Sequence, residues 1–272
     1  MKQRLISSLI YFAFLVGILV INHPIVDTIV VVCISCIAMH EYIKAFKSIG
    51  YNPITWIGYI GCISIFLMGQ GIDFNLKMLI LRVAIPILLI SMFIYIILKN
   101  LKITVVDVAL TIFALVYIPF MFSFVKLILS MENGRIYIWL VLMGAFVSDI
   151  FAYLVGRKFG KHKLCPTISP KKTVEGAVAG VLCVIIAFLL FTVIVNNVFS
   201  LNLNYLVMIL MGLVSAIVGQ FGDLSASSIK RYCGIKDFGT IMPGHGGILD
   251  RCDSILFVAP IVYIFLKLFI LI

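Results

Sequence analysis

Charged side chains are scarce in this sequence. Asp, Glu, Lys and Arg together make up 12% of the 272 residues, whereas 63% are hydrophobic and the mean hydropathy is +1.23. Soluble domains carry about a quarter charged residues and about half apolar ones, so this composition excludes an ordinary soluble protein. We therefore expect a polytopic integral membrane protein.

Long polar linkers, low-complexity segments and internal repeats are absent, and apolar runs fill most of the chain. Because a helix needs about 20 apolar residues to cross a bilayer, we predict an all-α fold with about nine transmembrane helices. The runs lie at about 5–21, 25–40, 54–70, 78–98, 105–129, 136–155, 174–195, 205–221 and 250–272. No small-residue cleavage site follows the first run, so we interpret it as a retained helix and not as a signal peptide.

Acidic residues are also few, and the basic ones are unevenly distributed. The sequence has 11 Asp and Glu against 21 Lys and Arg. With the N-terminus in the cytoplasm, 16 of the 21 basic residues fall in cytoplasmic segments, and this asymmetry predicts that orientation. A basic cytoplasmic face suits anionic headgroups and nucleotide phosphates. Nucleic acid is not an expected partner, because the aromatic residues lie in the spans and not between the basic loops.

No catalytic group of the Ser-His-Asp or Cys-His type is evident. Polar residues gather instead from Ser227 to Asp253, in the stretch SSIKRYCGIKDFGTIMPGHGGILDRCD. Asp250 and Asp253, three residues apart, share a face if that segment is helical, and the glycines let backbone approach a ligand. Cations suit phosphate, and carboxylates suit a hard ion such as Mg²⁺. This stretch is the first candidate for an active site.

Two further carboxylates lie at membrane depth. Asp149 falls at the end of the sixth predicted span and Asp223 at the end of the eighth. A carboxylate inside a span costs roughly 2.5–3.5 kcal/mol on insertion scales and is by default a functional candidate. Pairing of Asp223 with Lys230 or Arg231 is the structural alternative, and it is compatible with a metal site.

A basic loop, GRKFGKHKLCPTISPKKTVEG, follows the sixth span. Pro170, Thr173 and Glu175 indicate a helix N-terminus, with proline at its start, a capping hydroxyl and an acidic first turn. Such a terminus can bind phosphate through its backbone N–H groups. The alternative for Lys171 and Lys172 is a positive-inside anchor for the seventh span.

Four motifs resemble those of the phosphatidate cytidylyltransferases, also called CDP-diacylglycerol synthases. They read SDIFAY from Ser148, GRKFGK from Gly156, SPKKTVEG from Ser169, and the pattern between Ser227 and Asp253. The resemblance implies the conversion of CTP and phosphatidate to CDP-diacylglycerol and pyrophosphate. It also implies Mg²⁺, and it leaves open both a monovalent cation such as K⁺ and a homodimer.

The resemblance and the residues together give the expected site. The predicted catalytic residues are Asp223, Asp250, Lys230, Arg231, Asp253 and His245. The predicted substrate-binding residues are Arg157, Lys161, Lys171, Lys172, Glu175, Ser227, Lys236, Asp237 and Arg251. The predicted metal ligands are Asp223, Asp250 and Asp149. For His245, a role in binding or proton donation and a purely structural hydrogen bond to the loop remain open.

Residues 1–130 are interpreted as a transmembrane scaffold, and 131–272 as the catalytic region with cytoplasmic loops 156–173 and 222–250. In the scaffold, His40 and Glu41 are interpreted as a solvated interfacial pair, with a headgroup contact as the alternative. We expect a multi-pass protein of a bacterial inner membrane whose active site faces the cytoplasm.

Two other functions are weighed against this one. A CTP-dependent polyprenol kinase would use similar residues to transfer the γ-phosphoryl group. An ion-coupled transporter would also carry intramembrane carboxylates, but it should show paired repeats and interrupted helices, which this sequence lacks.

Overall fold

The computed structural model describes residues 23–67, 74–100, 102–241 and 246–270, together with Gly17 and Ile21. These residues are almost entirely helical and form two compact units. The first unit is Met1–Ser130 with Cys233–Leu249, and the second is Met131–Tyr232 with Asp250–Ile272. The segment Cys233–Leu249 thus belongs with the region interpreted as scaffold, and the functional division at residue 130 stays a prediction.

Helices of the first unit are set by local caps and proline positions. Thr104 caps a helix: its hydroxyl accepts from the Asp107 backbone N–H at 3.3 Å, and the Asp107 carboxylate accepts from the Thr104 N–H at 2.7 Å. Pro119 lies in a π-helical turn, Val116–Phe120, where the ladder of backbone bonds is already irregular. The helices are α1 (Pro24–Lys47), α2 (Thr55–Ile63), α3 (Phe74–Leu98), α4 (Val105–Leu115) and α5 (Met121–Leu129).

A small apolar core holds several of these helices together. Its buried members come from the start of α2, from α3 and from α4. They are Ile54, Ile57, Met92, Ile96 and Val108. Between helices of a membrane protein such side chains contribute through van der Waals packing and not through exclusion of water, so this core holds α2 against its neighbours by close packing.

The second unit has four helices and one short ribbon. Close packing of its helices depends on glycine: a Cβ atom at Gly180 would lie 2.9 Å from the Ser148 carbonyl oxygen, and one at Gly222 would lie 2.6 Å from that of Asp253. The elements are α6 (Gly134–Phe159), β1 (Lys163–Cys165), β2 (Ser169–Thr173), α7 (Val174–Phe199), α8 (Tyr205–Tyr232) and α9 (Leu249–Phe265), whose first residue belongs to the first unit.

The ribbon corrects the expectation of a purely helical chain. Strands β1 and β2 pair antiparallel, with Lys163 opposite Thr173 and Cys165 opposite Ser169. Pro170 therefore lies in a strand and not at a helix start. The helix begins four residues later at Val174, and Thr173 is its cap.

Six helices of the described residues are long and apolar enough to cross a membrane, so the protein is a multi-pass membrane protein. They are Pro24–Lys47, Val105–Leu129, Gly134–Phe159, Val174–Phe199, Tyr205–Tyr232 and Leu249–Ile270. The span predicted at 5–21 lies almost wholly outside the described residues. The one predicted at 54–70 is represented by nine residues of α2 and a following 3-10 turn, Ser64–Leu67. The total of about nine stays a prediction.

Candidate active site

Asp149 lies on α6 in a region where three helices are tied together by polar side chains. The buried Ser148 beside it accepts a hydrogen bond from Gln220 Nε2 at 3.2 Å, and the same nitrogen donates to the Ala177 carbonyl at 3.0 Å. Asp149 is half-buried, and its Oδ2 accepts from Ser254 Oγ at 3.4 Å. These bonds fix the position of the Asp149 carboxylate relative to the neighbouring helices.

Asp223 on α8 forms an ion pair with a lysine from the ribbon. Lys172 Nζ lies 2.5 Å from Asp223 Oδ2, and Ser227 Oγ donates to Asp223 Oδ1 at 3.4 Å. The side chains of Lys172 and Asp223 are 25% and 26% exposed, so a ligand can reach both. The sequence interpretation had considered Lys230 or Arg231 as the cation for Asp223, and the ribbon lysine was not foreseen.

Lys230 and Asp250 form a second ion pair, which is more buried than the first. Lys230 Nζ lies 2.7 Å from Asp250 Oδ1, with side-chain exposures of 11% and 4%. Removal of one partner from a buried pair costs roughly 3–5 kcal/mol, because the other charge is left uncompensated. The pair therefore fixes the end of α8 against the first turn of α9.

A fourth carboxylate, Asp253, is buried one helical turn after Asp250. It accepts a hydrogen bond from the Ser254 backbone N–H at 2.7 Å. Asp149, Asp223 and Asp253 are near enough for their negative charges to act on one another. Three ionised carboxylates in one region repel one another, and lysines and arginines of this unit offset part of that repulsion.

Strand β2 leads directly into the start of α7. Thr173 caps the helix, accepting from the Gly176 N–H at 3.2 Å. Glu175 accepts from the backbone N–H of His162 at 3.1 Å and pairs with His162 Nδ1 at 2.7 Å. His162, interpreted from the sequence as a solvated or interfacial residue without companions, thus holds the turn before β1 through Glu175. The assignment of Glu175 to substrate binding stays a prediction.

Most of the predicted phosphate-binding arginines and lysines of this unit are exposed or half-buried. Arg231 is exposed, and its Nε donates to the Ile168 carbonyl, one residue before β2, at 3.3 Å. Arg251 is half-buried and acts electrostatically on Asp149. The remaining predicted cations of this unit are exposed: Arg157, Lys161 and Lys171.

Other predicted site residues are not in this unit. Lys236 and Asp237 are exposed and belong to the first unit. His245 lies outside the described residues. The first unit also corrects the interpretation of Glu41 as a solvated residue, because Glu41 is only 2% exposed. The signal that was undervalued is a carboxylate inside an apolar, spanning helix.

Comparison with known proteins identifies a family. The chain matches the sequence model described as the cytidylyltransferase family over residues 2–269. It is 33% identical to the phosphatidate cytidylyltransferase of Bacillus subtilis (strain 168) over 280 residues, which cover 99% of this chain and 98% of the relative. The phosphatidate cytidylyltransferase of Staphylococcus saprophyticus is 38% identical over 194 residues, 71% of this chain and 70% of that protein.

A further relative is matched over a shorter length. The phosphatidate cytidylyltransferase of Thermotoga maritima is 41% identical over 156 residues, so the match spans 57% of this chain and 57% of the relative. The full-length matches to the family model and to the Bacillus protein decide the assignment: the chain belongs to the cytidylyltransferase family.

Proposed function

We propose that this membrane protein transfers the cytidylyl group of CTP to phosphatidate, giving CDP-diacylglycerol and pyrophosphate. The observation that carries the proposal is the pair of ion pairs Lys172–Asp223 and Lys230–Asp250, beside Asp149 and Asp253 in one helical unit. The relatives' shared name, phosphatidate cytidylyltransferase, supports the choice of substrates.

In this proposal, each lysine releases its carboxylate partner and binds a substrate phosphate in its place. A triphosphate carries more negative charge than one carboxylate, and phosphate oxygens form strong charge-assisted bonds with cations. Lys172 is the more accessible of the two lysines, so it is proposed to meet the nucleotide or the lipid phosphate first. Arg231 offers a planar fork that matches phosphate oxygens in pairs.

The reaction requires no protein nucleophile. The phosphate monoester of phosphatidate has a second pKa of about 6 and is largely dianionic near neutral pH. One of its oxygens attacks the α-phosphorus of CTP, the bond from that phosphorus to the bridging oxygen breaks, and pyrophosphate leaves with the electron pair. Lysine and arginine side chains align the two phosphates and stabilise the charge that develops on the leaving group.

The carboxylates fit Mg²⁺ in their chemistry. Mg²⁺ prefers oxygen ligands and commonly takes one or two carboxylates together with substrate phosphates. No group of three or more His, Cys, Asp or Glu side chains that could hold a metal ion is found among the residues that the structure describes. Asp149, Asp223 and Asp250 are proposed as ligands that would come together with the substrate phosphates, with Asp250 contributing after release of Lys230. Bound there, Mg²⁺ would neutralise charge on the phosphates.

A direct test uses CTP labelled at two positions. Purified protein in detergent, given phosphatidate and Mg²⁺, should move label from the α-phosphorus of CTP into the lipid and label from the γ-phosphorus into pyrophosphate. Lys158→Ala, an exposed change outside the proposed site, is the matched control. Label from the γ-phosphorus in the lipid would replace the proposal with a lipid kinase.

The topology and location are also proposed: about nine spans with a cytoplasmic N-terminus, in a bacterial inner membrane, with the active site facing the cytoplasm. A homodimer and a monovalent cation such as K⁺ beside Mg²⁺ are proposed as well. A reporter fused after Ile272 should then be extracytoplasmic, and tags near Lys161 and Gly234 cytoplasmic. A cytoplasmic C-terminus would contradict the odd number of spans.

A further inference from the structure

Glu41 is a buried carboxylate that the proposed chemistry does not use. It lies near the end of α1, a helix of 24 residues that is otherwise largely apolar, and only 2% of it is exposed. Its neighbour His40 is exposed, with Nδ1 3.1 Å from Tyr59 Oη. A charge in that place needs hydrogen-bond partners to offset its desolvation, so its contacts show what it holds.

The contacts of Glu41 are backbone amides more than 200 residues away in the chain. Its Oε1 accepts from the Ile248 N–H at 3.0 Å, and its Oε2 accepts from the Leu249 N–H at 2.8 Å. Leu249 is the first residue of α9. The first amides of a helix have no acceptor within it, and the carboxylate supplies acceptors for two successive amides at this start.

Two glycines make room for the carboxylate. A Cβ atom at Gly247 would fall against both oxygens of Glu41, and a Cβ atom at Gly239 would also meet the Glu41 side chain. Gly247 is buried. Glycine at these positions is therefore a steric requirement of the bond to Glu41.

The residue that follows this anchored backbone is Asp250. Leu249 and Asp250 lie in the same first turn of α9, so the direction of the Leu249 N–H bond constrains the backbone from which the Asp250 side chain projects. We infer that Glu41 is a positioning residue: it holds the backbone of residues 247–249 and thereby sets the first turn of α9, which carries Asp250. The inference rests on the proposed function only where it concerns Asp250.

The contact itself is tested in substrate-free protein by hydrogen exchange. Glu41→Gln keeps the shape but turns an amide NH₂ towards one of the two backbone donors, so the Ile248 and Leu249 amides should exchange faster than in the wild type. His40→Ala, at the adjacent exposed position, should leave their exchange unchanged. Unchanged protection of both amides in Glu41→Gln would overturn the inference, whether or not the protein makes CDP-diacylglycerol.

Turnover tests the positioning role. Glu41→Gln should lower kcat by about tenfold to a hundredfold, as small misplacements do, with little change in the KM for CTP or phosphatidate, in protein that is still folded at the assay temperature. Gly247→Ala pushes on the same carboxylate from the loop, so it should give a similar loss and carries the test if Glu41→Gln does not fold.

The two changes together separate positioning from general stability. Because the methyl group of Gly247→Ala would fall where the Glu41 side chain lies, Glu41→Ala should relieve its effect. The double variant Glu41→Ala/Gly247→Ala should therefore be no slower than the slower of Glu41→Ala and Gly247→Ala alone. A loss of kcat in this double variant equal to the product of the two single losses, or a kcat within twofold of the wild type in both Glu41→Gln and Gly247→Ala, would contradict the role.

Discussion

Two carboxylates of the first unit and two of the second are held by different kinds of donor. In the first unit, Asp107 accepts from the backbone N–H groups of Asn52 at 2.5 Å and Thr104 at 2.7 Å, and Glu41 accepts from two loop amides. In the second unit, Asp223 and Asp250 accept from the side chains of lysines.

This difference is the basis on which we propose structural roles for some carboxylates and reactive roles for others. A backbone amide is fixed by the fold and has no alternative acceptor. Removal of the carboxylate that accepts from it therefore lowers the stability of the fold. A lysine ammonium sits on a flexible stem and can move to a phosphate, leaving its carboxylate available for a cation. We therefore propose a structural role for Asp107 and Glu41 and a role in the chemistry for Asp223 and Asp250.

The largest expected effect is at the lysine-bound carboxylates. Asp223→Asn and Asp250→Asn keep the size of the side chain but remove its charge, and each should lower turnover by at least about a hundredfold, the scale on which loss of charge stabilisation is felt. Residual activity should require more Mg²⁺. The measurement is initial rate against Mg²⁺ concentration, and wild-type rates in both variants would break the comparison.

An intermediate effect is expected at the accessible lysine. Lys172→Met retains the stem but removes the charge that pairs with Asp223, so activity should fall by about tenfold or more, since a charge-assisted bond to phosphate is lost. The KM for one of the two substrates should rise with it. Steady-state kinetics with CTP and phosphatidate varied in turn will identify that substrate. Unchanged kinetics would make Lys172 a topology signal only.

The smallest effect on turnover is expected at Asp107 of the first unit. Asp107→Asn leaves a buried backbone N–H facing an amide group, so the free energy of unfolding should fall by about 1–3 kcal/mol. The kcat of the folded protein should stay within twofold of the wild type. Thermal unfolding and kinetics on the same sample measure both quantities. A large loss of kcat with an unchanged Tm would place Asp107 in the chemistry and blur the distinction between the units.

Much of the helical plan was predictable from hydropathy, because a helix that crosses a bilayer needs about 20 predominantly apolar residues. The predicted span 105–129 coincides with Val105–Leu129, and the predicted span at 25–40 is a helix from Pro24 to Lys47. The ribbon was not predictable in this way. Its strands have three and five residues, too few to produce a periodic pattern among basic residues.

The contacts of the candidate site were predictable only as a set of residues. Motifs brought Asp149, Asp223 and Asp250 to attention, but the partner of each depends on side-chain directions between distant elements. Lys172 reaches Asp223 from the ribbon, which the sequence had not indicated. Glu41 was misread for a related reason: its partners are backbone amides, and an amide that needs an acceptor leaves no mark on the sequence.

The most direct test of the central claim is a metal-binding titration. Mn²⁺ can stand in for Mg²⁺ and be followed by its paramagnetic signal, with detergent-solubilised protein and CTP present and a titration of CTP alone subtracted. Wild type and Asp107→Asn should bind Mn²⁺ with the same Kd. The double variant Asp223→Asn/Asp250→Asn should bind Mn²⁺ at least about tenfold more weakly, since changes to the residues that support metal ligands already lower metal affinity by that factor. Equal binding by the double variant and the wild type would contradict the claim that the lysine-bound carboxylates hold the cation.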